Sequence, residues 1–311
     1  MKAIIINQYG STGELKMAEV PIPAITPNEV LVKNYYASIN PIDYKARAGQ
    51  MKLFTGNKFP KILGIESSGI VEQVGANVTS LKKGERVMVM PGLKFGTYAE
   101  YVSSPEKSVF KLPDNVTFQQ GATLTLAAST AYNGLYLTGK IKKGDEVLIN
   151  GAYGGVGGIA VQLAKLAGAK VTGVCSTENV ENVKALQADK VIDYTKEDIY
   201  TTGNQFDMVF DTVGKLDVGK AKGILKKGGV YITPTPSFKI ILMMLLNVFN
   251  AKKVKIVWNS PKKADINFLV NLVAEQKLKV IIDREYDLEE IVKAHTYSET
   301  GKAKGKILIK I

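Results

Sequence analysis

The residues best placed to do chemistry lie between Glu146 and Cys175, where an apolar run, a glycine turn, a helix and a second apolar run follow one another. Val147, Leu148 and Ile149 have the texture of a buried parallel strand. Ala152, Tyr153, Gly154, Gly155, Val156 and Gly157 supply a tight turn, and Ile159, Leu163, Leu166 and Ala167 then recur at helical spacing until Gly168. Val171 to Val174 resume as a strand. Glycines in such a turn let backbone N–H groups approach a pyrophosphate, whose charge the helix N-terminus stabilises. Ala152 occupies the first glycine position, so it is the strand–turn–helix–strand context that points to a dinucleotide; a turn that merely packs helix on strand is the alternative. The end of the second strand bears on which dinucleotide. An NAD site places Asp or Glu there to bind the ribose 2′-OH, whereas this chain has Cys175, Ser176 and Thr177. Two hydroxyls and no carboxylate favour NADPH. Glu178 turning back onto the ribose would favour NADH instead, and no arginine stands in this turn to fork a phosphate.

Composition bounds the rest. A chain of 311 residues, 45% hydrophobic with 11 prolines, can bury a large core and is expected to form two domains. The start, MKAIIINQYG, has no charged n-region, long apolar run or cleavage site of a secretory signal, so a cytoplasmic location is expected. A single cysteine, Cys175, excludes an internal disulfide and a Cys-rich zinc site. The net charge of +12 comes from scattered lysines without interleaved aromatics, which reads as a basic surface rather than a nucleic-acid strip. Ile240 to Phe249, IILMMLLNVF, is the most apolar segment; ten residues cover about half of a bilayer core, so no integral membrane segment is expected. It fits a buried or interface helix, a methionine-containing wall over an apolar substrate, or a membrane-surface contact.

Two textures divide the chain. Residues 1 to 118 carry short alternating runs broken by Gly, Pro and Asn (EVLVKNYY, SSGIVEQVG, ERVMVM) and read as mostly β. From 119 to 261, strand-like EVLIN, KVTGVC, KVID, DMVFDTVG, GVYIT and KVKIVW alternate with helical stretches, the pattern of a doubly wound parallel sheet. A helix is expected over Ala264–Gln276, and the closing KILIKI is a strand that an incomplete β domain would accept. The β domain is therefore expected to be discontinuous, 1–118 with 262–311.

These residues carry a family resemblance. Ala37-Ser38-Ile39-Asn40-Pro41-Ile42-Asp43-Tyr44, Gly64-Ile65-Glu66-Ser67-Ser68-Gly69, Lys83-Gly84-Glu85-Arg86-Val87, Thr130-Ala131-Tyr132, the glycine turn, Asp211-Thr212-Val213-Gly214 and Gly305-Lys306-Ile307 span the chain nearly end to end. Together they resemble the medium-chain dehydrogenase/reductase superfamily, in its zinc-independent quinone oxidoreductase and alkenal/enone reductase branch. The resemblance implies an α/β chain built from a GroES-like catalytic domain and a Rossmann NADP-binding domain, an active site in the cleft between them, and a homodimer. The zinc branch has a Cys before the helix that here opens at Asn40, and a His directly before the glutamate of Gly64-Ile65-Glu66. This chain has neither, and a usual catalytic zinc set cannot be assembled.

Without a metal, the negative charge that builds on a carbonyl oxygen during hydride transfer must be met by hydrogen-bond donors. Tyr44 is the candidate donor or acid, and Asn40, whose counterpart lies near the nicotinamide, is the second. Asn40 as N-cap, Pro41 at N1 and Asp43 at N3 equally make a good helix start, and Tyr44 equally serves as an apolar wall. The resemblance further places Thr130 and Val213 at the cofactor and Tyr194 at its 2′-phosphate. Relatives often add a lysine just after Ser176; here Glu178 stands in that stretch and Lys184 is the candidate substitute. His295 and Cys175 are expected to be structural. Two functions follow: an NADPH-dependent, zinc-independent reductase of quinones or α,β-unsaturated carbonyls, or a non-catalytic, sensor-like NADPH-binding member acting through a protein or membrane-surface partner. Substrate choice depends on how Leu53, Phe54, Tyr132 and the 238–249 segment converge.

Overall fold

The computed structural model describes all residues except the side chains of Val248 and Phe249. The chain forms two compact units, one of residues 1–126, 261–277 and 282–311, the other of residues 127–260 and 278–281. The first unit runs past residue 118, the boundary suggested by texture, and ends on Thr125 and Leu126, which bond to a buried glutamate within that unit.

The first unit is built on Glu29–Ile39, whose alternating sequence buries Val30 and Val32 on one face. Its main sheet runs in the order Ile282–Asp287, Lys306–Lys310, Glu29–Ile39, Ser67–Val74, Arg86–Val89, Val109–Lys111, and Tyr101–Pro105 also pairs with Glu29–Ile39. The closing Lys306–Lys310 strand lies antiparallel to Glu29–Ile39, with Ile307 opposite Ile39. The β unit is thus completed by the last residues of the chain. A three-stranded sheet of Lys16–Glu19, Lys2–Ile6 and Lys61–Ile62 covers a second core made by Ile4, Ile6, Leu63, Ile65, Tyr98 and Ile309. The expected helix after Pro261 forms over Lys263–Ala274.

The second unit is a six-stranded parallel sheet in the order Lys190–Asp193, Lys170–Cys175, Glu146–Asn150, Phe206–Asp211, Leu225–Thr233, Lys253–Ile256. Its central strands bury Val147, Leu148, Ile149, Val209 and Phe210 completely, as expected where helices cover both faces. The chain winds outward in both directions from Glu146–Asn150, which puts a topological switch at the carboxyl end of that strand. The apolar segment forms the helix Phe238–Leu245, opened by the Ser237 hydroxyl, which accepts from the Ile240 amide at 3.3 Å. Only Ile240 in this helix is buried, while Phe238 is 84% exposed and Leu245 67% exposed, so the expectation of a buried helix fails within this unit. The sequence shows the moment of the helix but not how little sheet it has to cover. The expected segment runs on to 249, and its last two side chains lie outside the described residues.

Gly69 shows how closely the first unit's strands approach. A Cβ there would lie 1.9 Å from the Lys33 carbonyl oxygen of the neighbouring strand. Gly69→Ala is expected to destabilise the protein by about 1–3 kcal/mol through forced strand separation, read as a lower midpoint in urea unfolding followed by circular dichroism.

Candidate active site

In the first unit the helix Pro41–Arg47 starts directly off the long Glu29–Ile39 strand. The Asn40 amide donates to Asp43 Oδ2 at 2.8 Å, so the N3 carboxylate caps the backbone as expected. The Asn40 side chain, however, turns away from the helix. Its Nδ2 donates to Glu66 Oε1 at 3.0 Å, and its Oδ1 accepts from Lys306 Nζ at 2.6 Å. Asn40 is 4% exposed. The expected role of a free donor is corrected accordingly: its amide is held inside a buried polar network.

Glu66 is the centre of that network and is fully buried. Its Oε1 accepts from Lys306 Nζ at 2.8 Å and from the Ser38 hydroxyl at 2.6 Å, while its Oε2 accepts from Thr125 Oγ1 at 3.0 Å and the Leu126 amide at 2.8 Å. Burial pushes the Glu66 carboxyl up, but the Lys306 ammonium and these donors outweigh it and hold it below its ordinary range. Neither Glu66 nor Lys306 was singled out chemically from the sequence. The available signal was a charged residue directly bordering each of two apolar runs, Glu66 after Leu63–Ile65 and Lys306 before Ile307–Ile309.

Asp43, one turn into the helix, is also fully buried, and burial raises its carboxyl to about 7. Tyr44 is half-buried, and burial followed by the Glu299 carboxylate raises its phenol. It therefore stays protonated across the physiological range and can donate a hydrogen bond. Arg47 donates to Glu299 at 2.7 Å and to His295 Nδ1 at 3.0 Å. Because a guanidinium only donates, the imidazole proton sits on Nε2. Burial, then Arg47, lowers His295 to about 3, so it is neutral and part of the packing.

In the second unit the glycine turn is closed by the Gly154 amide donating to the Gly151 carbonyl at 2.9 Å, and the Ala152 amide donates to the Val174 carbonyl at 3.0 Å. The helix Gly157–Leu166 follows at once. A Cβ on Gly157 would lie 2.0 Å from the Gly151 carbonyl oxygen, so only glycine lets the helix start this close to the strand. The Gly158 amide donates to the Gly154 carbonyl at 2.8 Å and the Ala160 amide to the Val156 carbonyl at 2.9 Å, so a pyrophosphate would meet the backbone of the turn at the positive end of this helix. Ala152 is fully buried and serves as packing, while Tyr153 to Val156 remain partly open.

Three further strand ends surround the turn. Asp211 ends its strand fully buried, and Oδ1 accepts from Asn150 Nδ2 at 2.8 Å and the Gly214 amide at 2.8 Å. Its Oδ2 accepts from the Leu216 amide at 2.9 Å and the Tyr231 hydroxyl at 2.8 Å. This fixes the turn that carries Val213, and a Cβ on Gly151 would meet Val213 Cγ2 at 2.5 Å. Val213 is thus brought against the glycine turn. Asp211 and Asn150, which hold it there, were missed as positioning residues. Thr130 is buried in the helix Ser129–Tyr132.

At the neighbouring edge, Cys175 pairs in register with Asp193. Burial, then Asp193, pushes the Cys175 thiol up to about 11, which makes it a poor nucleophile. The sequence suggests that Thr177 donates to a phosphate; in the structure its hydroxyl instead donates to Asp193 Oδ2 at 2.5 Å. Ser176 Oγ accepts from Asn179 Nδ2 at 3.1 Å and keeps its own proton to donate. Tyr194 is 60% exposed. Lys184 is paired with Glu181 at 2.8 Å along its own helix, both side chains exposed. The glycine turn, the turn bearing Val213 and the ends of the Lys170–Cys175 and Lys190–Asp193 strands thus lie along one edge of the parallel sheet. Among the described residues, no three His, Cys, Asp or Glu side chains gather as metal ligands, and no helix is long and apolar enough to cross a membrane.

Comparison with known proteins agrees with this geometry. Residues 26–114 match the alcohol dehydrogenase GroES-like domain, and residues 186–309 match the zinc-binding dehydrogenase family. The chain is 35% identical over 326 residues to 2-methylene-furan-3-one reductase of Solanum lycopersicum, covering 99% of this chain and 79% of the relative. It is 33% identical to the chloroplastic NADPH-dependent alkenal/one oxidoreductase of Arabidopsis thaliana, covering 99% and 79%. The solved quinone oxidoreductase of Coxiella burnetii superposes with a TM-score of 0.94 at 33% identity, covering 100% of this chain and 99% of that one.

Removing one member of the buried ion pair should be costly. Lys306→Met leaves the Glu66 carboxylate buried without its cation and is expected to lose about 3–5 kcal/mol of unfolding free energy, whereas Lys306→Met with Glu66→Gln should recover most of the loss. Urea unfolding of the wild type, the single variant and the double variant measures both differences.

Proposed function

Given that the chain belongs to the medium-chain dehydrogenase/reductase superfamily, among its quinone oxidoreductases and alkenal/one reductases, we propose that it is an NADPH-dependent, zinc-independent reductase of α,β-unsaturated carbonyls or quinones. It is an oxidoreductase of the kind that uses a nicotinamide cofactor. The observation that carries the reading is the place of the glycine turn: it joins the Glu146–Asn150 strand to the Gly157–Leu166 helix at the topological switch of the parallel sheet, where a doubly wound sheet takes a nucleotide.

Gly154 to Gly157 would hold the pyrophosphate, Thr130 and Val213 the nicotinamide half, and Ser176 and Tyr194 the 2′-phosphate. A bound nicotinamide supplies a hydride. The chain's own part is to place the substrate and meet the charge that develops on its oxygen. Tyr44 is the donor for that oxygen, since its raised pKa keeps the phenolic proton in place until an enolate or hydroquinone oxygen claims it. The position that precedes Glu66 is Ile65, and the helix opens on Asn40 and Pro41, so neither place offers a zinc ligand. The Lys306 ammonium supplies the buried positive charge beside Glu66.

The reading is tested by following NADPH oxidation with small enals, enones and quinones. Turnover on at least one class is expected, unchanged after exhaustive chelation. Stoichiometric zinc whose removal abolishes the rate would refute the metal-free assignment. A protein that binds NADPH yet reduces none of these substrates would favour the non-catalytic alternative.

Tyr44→Phe should keep its NADPH affinity and lose turnover by roughly 10- to 1000-fold, the scale for one donor or general acid. Unchanged turnover on both an enone and a quinone would leave Tyr44 as a pocket wall.

A further inference from the structure

The cluster at the ends of the Lys170–Cys175 and Lys190–Asp193 strands determines more than the turn sequence suggests. Asp193 ends the strand beside Cys175, in register with the position where an NAD site carries its ribose-binding carboxylate. Its oxygens are already taken. Oδ1 accepts from the Thr195 amide at 3.0 Å and the Thr195 hydroxyl at 2.7 Å, and Oδ2 accepts from the Thr177 hydroxyl. The Asp193 side chain is 10% exposed. It is sunk beneath two threonines whose protons point inward to it, so neither Asp193 nor Thr177 is available to a ligand in its present arrangement.

The cation of this edge is Lys196. Its Nζ lies 3.7 Å from Asp193 Oδ2, a loose ion pair, and its side chain is 69% exposed. Tyr194 is anchored through its amide to the Cys175 carbonyl at 3.1 Å, and its ring is open to solvent. Other lysines nearby are engaged: Lys184 with Glu181 at 2.8 Å, Lys165 with Asp189 at 2.7 Å. Glu178, Glu181, Glu197 and Asp198 are the acidic residues that follow these two strands, all unfavourable to a phosphate. Lys196 is thus the cation on these loops whose partner holds it weakly.

We propose that Lys196 is the specificity-determining residue for the 2′-phosphate, held beside the site by Asp193 and released onto the phosphate with Ser176 and Tyr194 when the dinucleotide binds. This rests on the cofactor reading above. A lysine acts on phosphate as a point charge and needs no fixed fork. A phosphate dianion competes well for it against a single carboxylate already satisfied by three other donors. Asp193 thereby serves this edge as the tether of a cation rather than as a ligand for the ribose.

Equilibrium binding of NADPH and NADH to the intact protein, with 2′-phospho-AMP and 5′-AMP as fragments, tests the assignment in wild type, Lys196→Met and Lys196→Arg. Lys196→Met is expected to weaken NADPH and 2′-phospho-AMP by roughly 10-fold, to leave NADH and 5′-AMP within twofold, and to flatten the salt dependence of NADPH binding. Lys196→Arg should restore phosphate binding. An unchanged ratio of NADPH to NADH affinity in Lys196→Met, or an equal loss of both, overturns the role of Lys196 while leaving the dinucleotide reading intact. A wild-type protein that binds neither dinucleotide overturns both.

Discussion

A carboxylate with no access to water has to be answered from within the fold, and in the first unit five groups converge on Glu66 to do so. They come from the end of the long strand, the start of the helix that carries Tyr44, the segment ending at Leu126 and the last strand of the chain. Each is constrained by the same need. An uncompensated buried charge costs several kcal/mol, whereas the pair alone offers little net stability against an apolar replacement. What the network supplies is arrangement: it fixes where the Pro41–Arg47 helix begins and which way Asn40 faces. Asn40 turned inward follows from that demand, since Lys306 and Glu66 together present an acceptor and a donor to both ends of its amide.

The second unit solves a comparable problem with Asp211. This buried carboxylate receives three backbone amides of the following turn, the Asn150 side chain and the Tyr231 hydroxyl. It thereby locks the turn bearing Val213 beside Gly151, and the absence of a side chain at Gly151 and Gly157 lets the cradle close. The two units use the same device. A sunk carboxylate organises backbone around a candidate site without itself facing a ligand.

Asp193 is a third instance, and here the device alters chemistry. A carboxylate exposed to the cofactor at this edge would repel a phosphate. Two threonine hydroxyls and a lysine convert it into a local support. Its carboxyl is held below the ordinary range by the Thr177 and Thr195 hydrogen bonds, so it stays charged and keeps Lys196 close.

The sequence by itself determined the parallel sheet, the glycine turn and the return of the last strand to the β unit, because strand and helix periods, glycine and chain order are local properties of the residues. Gly157 could be read as a close approach, and Tyr44 as a helical residue one turn past Asn40. It did not determine where polar side chains spend their hydrogen bonds. Asn40 reads as a donor beside the nicotinamide and Thr177 as a phosphate donor, and each side chain is claimed by a partner: Glu66 and Lys306, and Asp193. Lys306 lies 240 residues from Glu66 in sequence, and only antiparallel pairing of the last strand with Glu29–Ile39 brings them together. The exposed face of Phe238–Leu245 was likewise undetermined, because burial depends on how much surface a neighbour offers and not on how apolar the segment is. Hydrogen-bond partnership and burial are properties of pairs distant in the chain, and those were decided by the tertiary structure.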